Sequence, residues 1–254
     1  MLQRKLFLGV IIYFFCTSLF ALKVGVTAGP HAVIMEKVKS VAAESGLNIQ
    51  IVTFNDFILP NAALNQGDLD ANSYQHLPFL EEQIRTRGYK LKTIAKTVTM
   101  PLGIYTLKLS KLSELKDKAR IAIPNDPTNG SRALILLEQQ GCIRLSQKSL
   151  PSILDIKENP KQLKFIEIEA PQLPRTLQDV DIAVINTDWV LLAGMDPKTA
   201  LILEPQDTVY ANWIVVRQDT KMTGDLEKLV NAYHSEAVKS FIYEMFKGAV
   251  LPTW

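Results

Sequence analysis

Arg120-Ile-Ala-Ile-Pro-Asn-Asp-Pro-Thr-Asn-Gly-Ser-Arg-Ala-Leu-Ile-Leu-Leu-Glu-Gln-Gln-Gly141 reads as a buried strand, a polar turn and an amphipathic helix. Ile121 to Ile123 form a short apolar run closed by Pro124, and Asn125 to Gly130 are turn and N-cap residue types. Leu134, Leu137 and Glu138 follow at helical spacing. In that frame Arg132 falls in the first helical turn, where a cation opposes the helix dipole at a cost of ~0.3–1 kcal/mol. A bound carboxylate would offset the cost, since the guanidinium offers a planar two-donor fork beside free helix-start N–H groups. A solvated arginine beside an ordinary Asx turn explains the stretch equally well.

Outward from this unit, strands and helices alternate along the whole chain, which argues for α/β architecture with parallel sheets. The 254 residues suffice for one large domain or two lobes, and 47% apolar with 21% charged residues is an ordinary globular composition. The net charge of +2 owes to Arg4 and Lys5; without residues 1–21 there are 26 basic against 26 acidic residues. With no basic stripe and no interleaving of basic and aromatic residues, nucleic acid is not an expected partner. There is no internal repeat or Gly-Ser linker. No metal or cofactor motif stands out.

Residues 1–21 carry an Arg-Lys pair, an apolar run from Leu6 to Phe15 and then Cys-Thr-Ser-Leu-Phe-Ala. This is the three-part pattern of a secretory signal, and the run is short for a bilayer span, which takes about 20 residues. Cleavage after Ala21 or after Ser18 is expected, releasing the chain to the periplasm. Cys16 is a candidate lipid-attachment residue, but bulky Phe15 precedes it, so lipidation is the less favoured reading. Cys142 would then be the single cysteine of the mature chain, which excludes an intrachain disulfide; it reads as a small, partly buried residue.

In chain order, Leu22 to Thr27 is a strand feeding Gly29-Pro30, and a helix follows with Ile34, Val38, Val41 and Ala42 on its inner face. His31, at that helix start, reads as a polar surface group in preference to a ligand contact. Ile49 to Phe54 is a second strand and Leu59 to Leu64 a short helix. Tyr74, His76 and Phe79 bring two rings and an imidazole together where a strand gives way to a helix through Leu80, Ile84 and Arg87. Strand ends in open α/β sheets are where ligands sit. A wall of rings would grip an apolar or thioether side chain, sulfur against a ring edge contributing ~0.3–1.5 kcal/mol; the alternative is core aromatics with His76 as a helix cap.

Asn186 stands at the C-terminal end of the buried strand Ile182 to Ile185, where it either meets a ligand or caps the next helix. Asn212 interrupts the otherwise apolar strand within Tyr210 to Arg217 and needs a partner. The end of the chain places Leu226, Leu229, Val230, Tyr233, Phe241, Ile242, Met245 and Phe246 on one core-facing helical stripe, broken at Ser235. Extended segments near 100–109 and 203–215 fit two lobes joined by more than one crossing.

Five segments, in this order and spacing, carry a resemblance that runs from about Leu22 to the end. They are Asp70-Ala-Asn-Ser-Tyr-Gln-His-Leu-Pro-Phe79, Pro124-Asn-Asp-Pro-Thr-Asn-Gly-Ser-Arg132, Ala183-Val-Ile-Asn-Thr187, Tyr210-Ala-Asn-Trp-Ile-Val-Val-Arg217 and Phe246-Lys-Gly-Ala-Val250. The chain resembles the methionine-binding protein family, the NlpA/MetQ group of ABC-importer receptors. The resemblance implies a two-lobed periplasmic-binding-protein fold of type II-like form, two sheets flanked by helices with a ligand cleft between lobes. Residues 1–21 are then a signal peptide, 22–107 and 209–254 the first lobe and 108–208 the second.

The resemblance also implies a receptor for methionine, L or D, or a related amino acid, working with an ABC permease and ATPase complex and having no enzymatic role. Membrane association would come through the permease or an N-terminal anchor. Carried over by position, the carboxylate-binding arginine is Arg132, the amide contacts to the amino acid's polar end are Asn186 and Asn212, and the side-chain pocket is Tyr74, His76 and Phe79. Relatives often have Phe and then Tyr where this chain has Tyr74 and Phe79, which moves a hydroxyl; the missing lipobox is a second departure. A small exported enzyme on the same fold, acting on a carboxylate substrate, is the rival reading. It would need a general acid or base against the substrate, for which His76 is the candidate. A surface antigen with a vestigial pocket is a third.

Overall fold

The structure, a computed structural model, describes residues 21–205 and 208–254, with the side chain of Thr208 left aside. The expected signal segment and Cys16 lie outside the described residues.

The chain opens with β1 (Leu22–Thr27), α1 (Pro30–Glu44), β2 (Ile49–Phe54), α2 (Leu59–Gln66), β3 (Ala71–His76), α3 (Leu77–Arg87) and β4 (Leu91–Lys96). Two short strands, β5 (Val98–Thr99) and β6 (Leu102–Tyr105), lead to β7 (Arg120–Pro124) and α4 (Pro127–Gln139). Next come β8 (Arg144–Leu145), β9 (Ile156–Glu158), β10 (Lys164–Ile168), α5 (Leu173–Thr176), β11 (Ile182–Asn186) and α6 (Thr187–Leu192). The last elements are β12 (Ile202–Leu203), β13 (Asn212–Arg217), α7 (Gly224–Tyr233), α8 (Glu236–Phe246) and β14 (Leu251–Pro252).

Two five-stranded sheets organise these elements, one in the order β2-β1-β3-β13-β4 and the other β10-β7-β11-β6-β12. In each the first three strands run parallel and the fourth runs against its neighbours, so the sheets are mixed, a correction to the parallel sheets expected from alternation. β13 runs antiparallel to β3 and β4, and β6 antiparallel to β11 and β12. The physical reason is the chain path: β6 and β13 each enter a sheet from the crossing between lobes, against the direction set by the strand–helix units. The first crossing lies between Lys96 and Leu102, since β6 already belongs to the second sheet, upstream of the 107/108 boundary expected. The return crossing lies between Leu203 and Asn212. The crossings are tied together: Thr97 N donates to Asn212 O (2.8 Å) and Thr253 N to Thr97 O (3.0 Å).

Both faces of each sheet are covered, which explains why β7 and β11 are apolar runs and not alternating ones. Val24, Val26, Ile34, Val38, Ile214, Leu229 and Ile242 form the core under α1, α7 and α8, and Leu64, Leu69, Leu80 and Val215 fill the opposite face. In the second sheet Ile104, Ile121, Ile123, Leu134 and Leu137 pack under α4, with Ala122, Ile185, Leu173 and Trp189 on the other side. On α8 the buried positions are Val238 and Ile242, one turn apart; Met245 points outward at 51% exposure, contrary to the expected stripe, because the row through 238 and 242 continues to partly buried Phe246. Ser235 breaks the two helices as expected, its hydroxyl accepting from Val238 N.

The polar sequence of β3 is accounted for by its place between β1 and β13, where every residue is buried. Asn72 and Gln75 form an amide cluster with Asn61 of α2: Asn61 Oδ1 accepts from Asn72 Nδ2 (2.9 Å) and Gln75 Nε2 (2.6 Å), and Asn61 Nδ2 donates to Gln75 Oε1 (2.8 Å). Buried amides are tolerated because they are paired, and the pairing fixes the strand that presents Tyr74 and His76.

Candidate functional site

The strand ends of both sheets face one cavity. Tyr74, His76, Phe79, Arg132, Asn186 and Asn212, drawn from distant parts of the sequence, all line it. His76 ends β3 and Asn186 ends β11, while Asn212 begins antiparallel β13 and pairs in register with His76.

Arg132 differs from expectation in two ways. It lies in the second turn of α4, whose N-cap is Asp126, the carboxylate accepting from Asn129 N (2.9 Å). The charge that offsets its own is in the protein: Glu204 takes Nε at 2.9 Å with each carboxylate oxygen and also pairs with Nη2. Nη2 donates further to Met100 O (3.1 Å), and the guanidinium carbon stands 3.9 Å from the ring centroid of Tyr210. Arg132 is only 4% exposed, so the solvated-surface alternative fails. Among the described residues its hydrogen bonds run through Nε and Nη2 and not through Nη1. Glu204 also accepts from Leu102 N (3.1 Å), so one carboxylate links Arg132 to both crossings.

His76 is both a cap and a cavity residue. Its Nδ1 accepts from Phe79 N (3.1 Å), which places the ring proton on Nε2, 3.3 Å from Asn129 Oδ1. That amide oxygen also accepts from Asn186 Nδ2 (2.9 Å), while Asn129 Nδ2 donates to both oxygens of Asp126. Asn186 sits at the N-cap of α6 without capping it, and its Oδ1 is buried with no partner among the described residues. Asn212 Nδ2 lies 3.2 Å from His31 Nε2 and can only donate, leaving its own Oδ1 free of that bond. The cavity thus holds one buried amide oxygen without a partner among the described residues, that of Asn186, together with the Asn212 amide and the Arg132 guanidinium.

His31 is therefore not the surface group expected. It is 2% exposed and lines the cavity, because Gly29, at φ 88°, turns α1 inward beside α6 and Pro30 starts the helix in place. Burial lowers the pKa of His31 to about 3; burial, with Arg132 nearby, does the same to His76. Both rings are neutral at physiological pH.

The apolar end of the cavity is a ring cluster. Phe57 lies 6.3 Å from Tyr74, 6.1 Å from Phe79 and 5.2 Å from Trp189, the last contact joining the two lobes. Tyr74's hydroxyl donates to Phe57 O (2.9 Å), so the displaced hydroxyl holds the Phe57 loop. Burial, and next the charge of Asp56, push its pKa well above the usual range. Phe57, Asn129, Asp188, Glu204 and Tyr210 were not singled out by the sequence. Signals existed for some: Asn129 stands in the motif turn, and Tyr210 precedes Asn212 by two residues.

The NlpA lipoprotein family model matches residues 22–254. The chain belongs to this family. Among its relatives, the D-methionine-binding lipoprotein MetQ of Salmonella typhi is 46% identical over 239 residues, covering 92% of this chain and 88% of that one. Outer membrane lipoprotein 3 of Mannheimia haemolytica is 44% identical over 237 residues, covering 92% and 90%. A nutrient-binding protein from Burkholderia cenocepacia, solved bound to methionine, superposes with a TM-score of 0.90 at 46% identity, covering 92% of this chain and 100% of that one. The crystal structure of the methionine-binding protein MetQ gives 0.89 at 42% identity, covering 92% and 98%. The NlpA lipoproteins have the two-lobed α/β fold and are binding proteins, not enzymes, which removes the exported-enzyme reading. Their names also run against treating Cys16 as unmodified.

Proposed function

We propose that the protein is the substrate-binding receptor of an ABC importer, capturing methionine or a close analogue in the cell envelope and handing it to a membrane permease driven by its ATPase. The observation that carries this reading is the make-up of one cavity: a guanidinium, the unpartnered amide oxygen of Asn186, the Asn212 amide and a cluster of rings, at 46% identity to a protein solved with methionine. Arg132 Nη1 would bond the carboxylate, Asn186 Oδ1 and Asn212 Oδ1 would accept from the ammonium, and Tyr74, Phe79 and Phe57 would desolvate the thioether chain. His76, neutral and fixed by Phe79 N and Asn129, forms the wall between the polar and apolar ends.

Capture favours the closed arrangement because the guest touches both lobes at once. Export follows from the N-terminal segment and the envelope lipoproteins among the relatives. In this reading Cys16 carries the lipid anchor, against the expectation from Phe15. Mass spectrometry of the small molecule released on denaturing purified protein tests the assignment. Methionine is the expected release; an unrelated carboxylate, or a chemically altered product on incubation with methionine, would overturn it.

A further inference from the structure

One buried acid in the cavity has no role so far. Asp188 is 5% exposed, lines the cavity and stands in the first turn of α6, two residues after Asn186. Its Oδ1 accepts locally from Trp189 N (3.1 Å), and among the described residues no Lys or Arg forms an ion pair with it. Its backbone lies against the start of α1: a Cβ on Gly29 would come 3.2 Å from Asp188 O. That helix start also carries His31, which holds Asn212. Asp188, Asn186 and Asn212 all line the cavity, Asp188 two residues after Asn186 and Asn212 held from the same α1 start that packs on the Asp188 backbone. A buried carboxylate without a counter-charge is costly unless a cation arrives to meet it.

We propose that Asp188 is the anionic partner of the guest's α-ammonium, completing with Asn186 Oδ1 and Asn212 Oδ1 the three acceptors that an –NH3+ group needs, so that capture is linked to release of a proton. This rests on the reading of the cavity as an amino-acid site. The charges around it fit. Arg132 and Glu204 neutralise each other, so a zwitterion whose carboxylate joins Arg132 leaves its ammonium in need of a further negative charge.

In the empty cavity burial raises the Asp188 pKa to about 7, with Arg132 pulling the other way. An ammonium alongside would lower it again. Of the other groups lining the cavity, His31 from α1 and His76 from β3 are neutral well below pH 6. Arg175 of α5 and, just beyond α6, Asp196 and Lys198 are exposed to solvent.

The test is calorimetric titration of ligand-stripped protein with methionine at pH 7.5 and 5.5, for wild type and Asp188→Asn, with the 2-hydroxy analogue of methionine as a third ligand. Wild type should bind methionine about 25-fold more weakly at pH 5.5, from proton competition at a group of pKa about 7. Asp188→Asn should bind at least tenfold more weakly at pH 7.5, lose that pH dependence and discriminate less against the hydroxy analogue. Tight wild-type binding that is equal at both pH values, or a variant with wild-type affinity and slope, would overturn the inference and leave the receptor reading standing. Failure of wild type to bind methionine at either pH would defeat the receptor reading and this one with it. Should Asp188→Asn not fold, the wild-type pH ratio and the hydroxy analogue decide the matter alone.

Discussion

Arg132→Ala should do two separable kinds of damage. The Arg132–Glu204 pair is buried, with the side chains 4% and 11% exposed, and it is bidentate. Removing one partner leaves the other charge desolvated and unpaired, which costs roughly 3–5 kcal/mol of stability. For a domain of this size each kcal/mol lowers Tm by about 2–4 °C, so a fall of roughly 6–20 °C is expected. Loss of the charged hydrogen bond to a guest carboxylate should weaken binding by ~2–5 kcal/mol, roughly 30-fold to several thousand-fold in Kd. The double variant Arg132→Met with Glu204→Leu removes both charges together, and should recover most of the stability and none of the affinity. Urea unfolding and calorimetry with methionine, run on wild type, Arg132→Ala and the double variant, separate the two effects. A double variant as unstable as Arg132→Ala, or an Arg132→Ala protein that binds as wild type does, would refute the assignment.

The buried ionisable groups give stability a pH dependence whose sign follows from burial. His31 and His76 stay neutral in the fold but charge below pH 6.5 when unfolded, so each removes about 2 kcal/mol between pH 7 and 5. Asp188, whose pKa is raised in the fold, returns about 2 kcal/mol over the same interval. Wild type should thus lose only about 1–2 kcal/mol and Asp188→Asn about 4 kcal/mol, as urea midpoints at the two pH values would record. Gly130→Ala should destabilise by roughly 1–3 kcal/mol, since the new Cβ would stand 2.8 Å from Pro124 O at the strand–helix turn; a melt within 1 °C of wild type would contradict it. Asn186→Ala removes an acceptor meant for a cation and should weaken methionine binding by about 1.5–3 kcal/mol in calorimetry.

Much of this was legible in the chain because strand, turn and helix signals were local. The Asp126 cap, the Pro127 helix start and the Ser235 break follow from residue types within a few positions of one another. The strand-end rule located His76 and Asn186 for the same reason. What stayed hidden depended on which surfaces face each other. Glu204 looks like any acid in a loop until the return crossing lays it beside Arg132. His31 is a surface residue on any isolated helix, and becomes buried only because α1 packs against α6 and Asn212. Asp188 carries no local mark at all. Met245 shows the converse: helical spacing put it on the apolar stripe, but the buried row through Val238 and Ile242 runs on to Phe246 and leaves Met245 exposed.

The central claim is that a single cavity holds both ends of an amino acid and its thioether chain. Titrating ligand-stripped protein with methionine and with its decarboxylated and desamino analogues tests it most directly. The account predicts one site per chain, tight for methionine and weaker by at least an order of magnitude for each analogue. Equal affinity for all three, or no heat with methionine at any pH from 6 to 8, would contradict it.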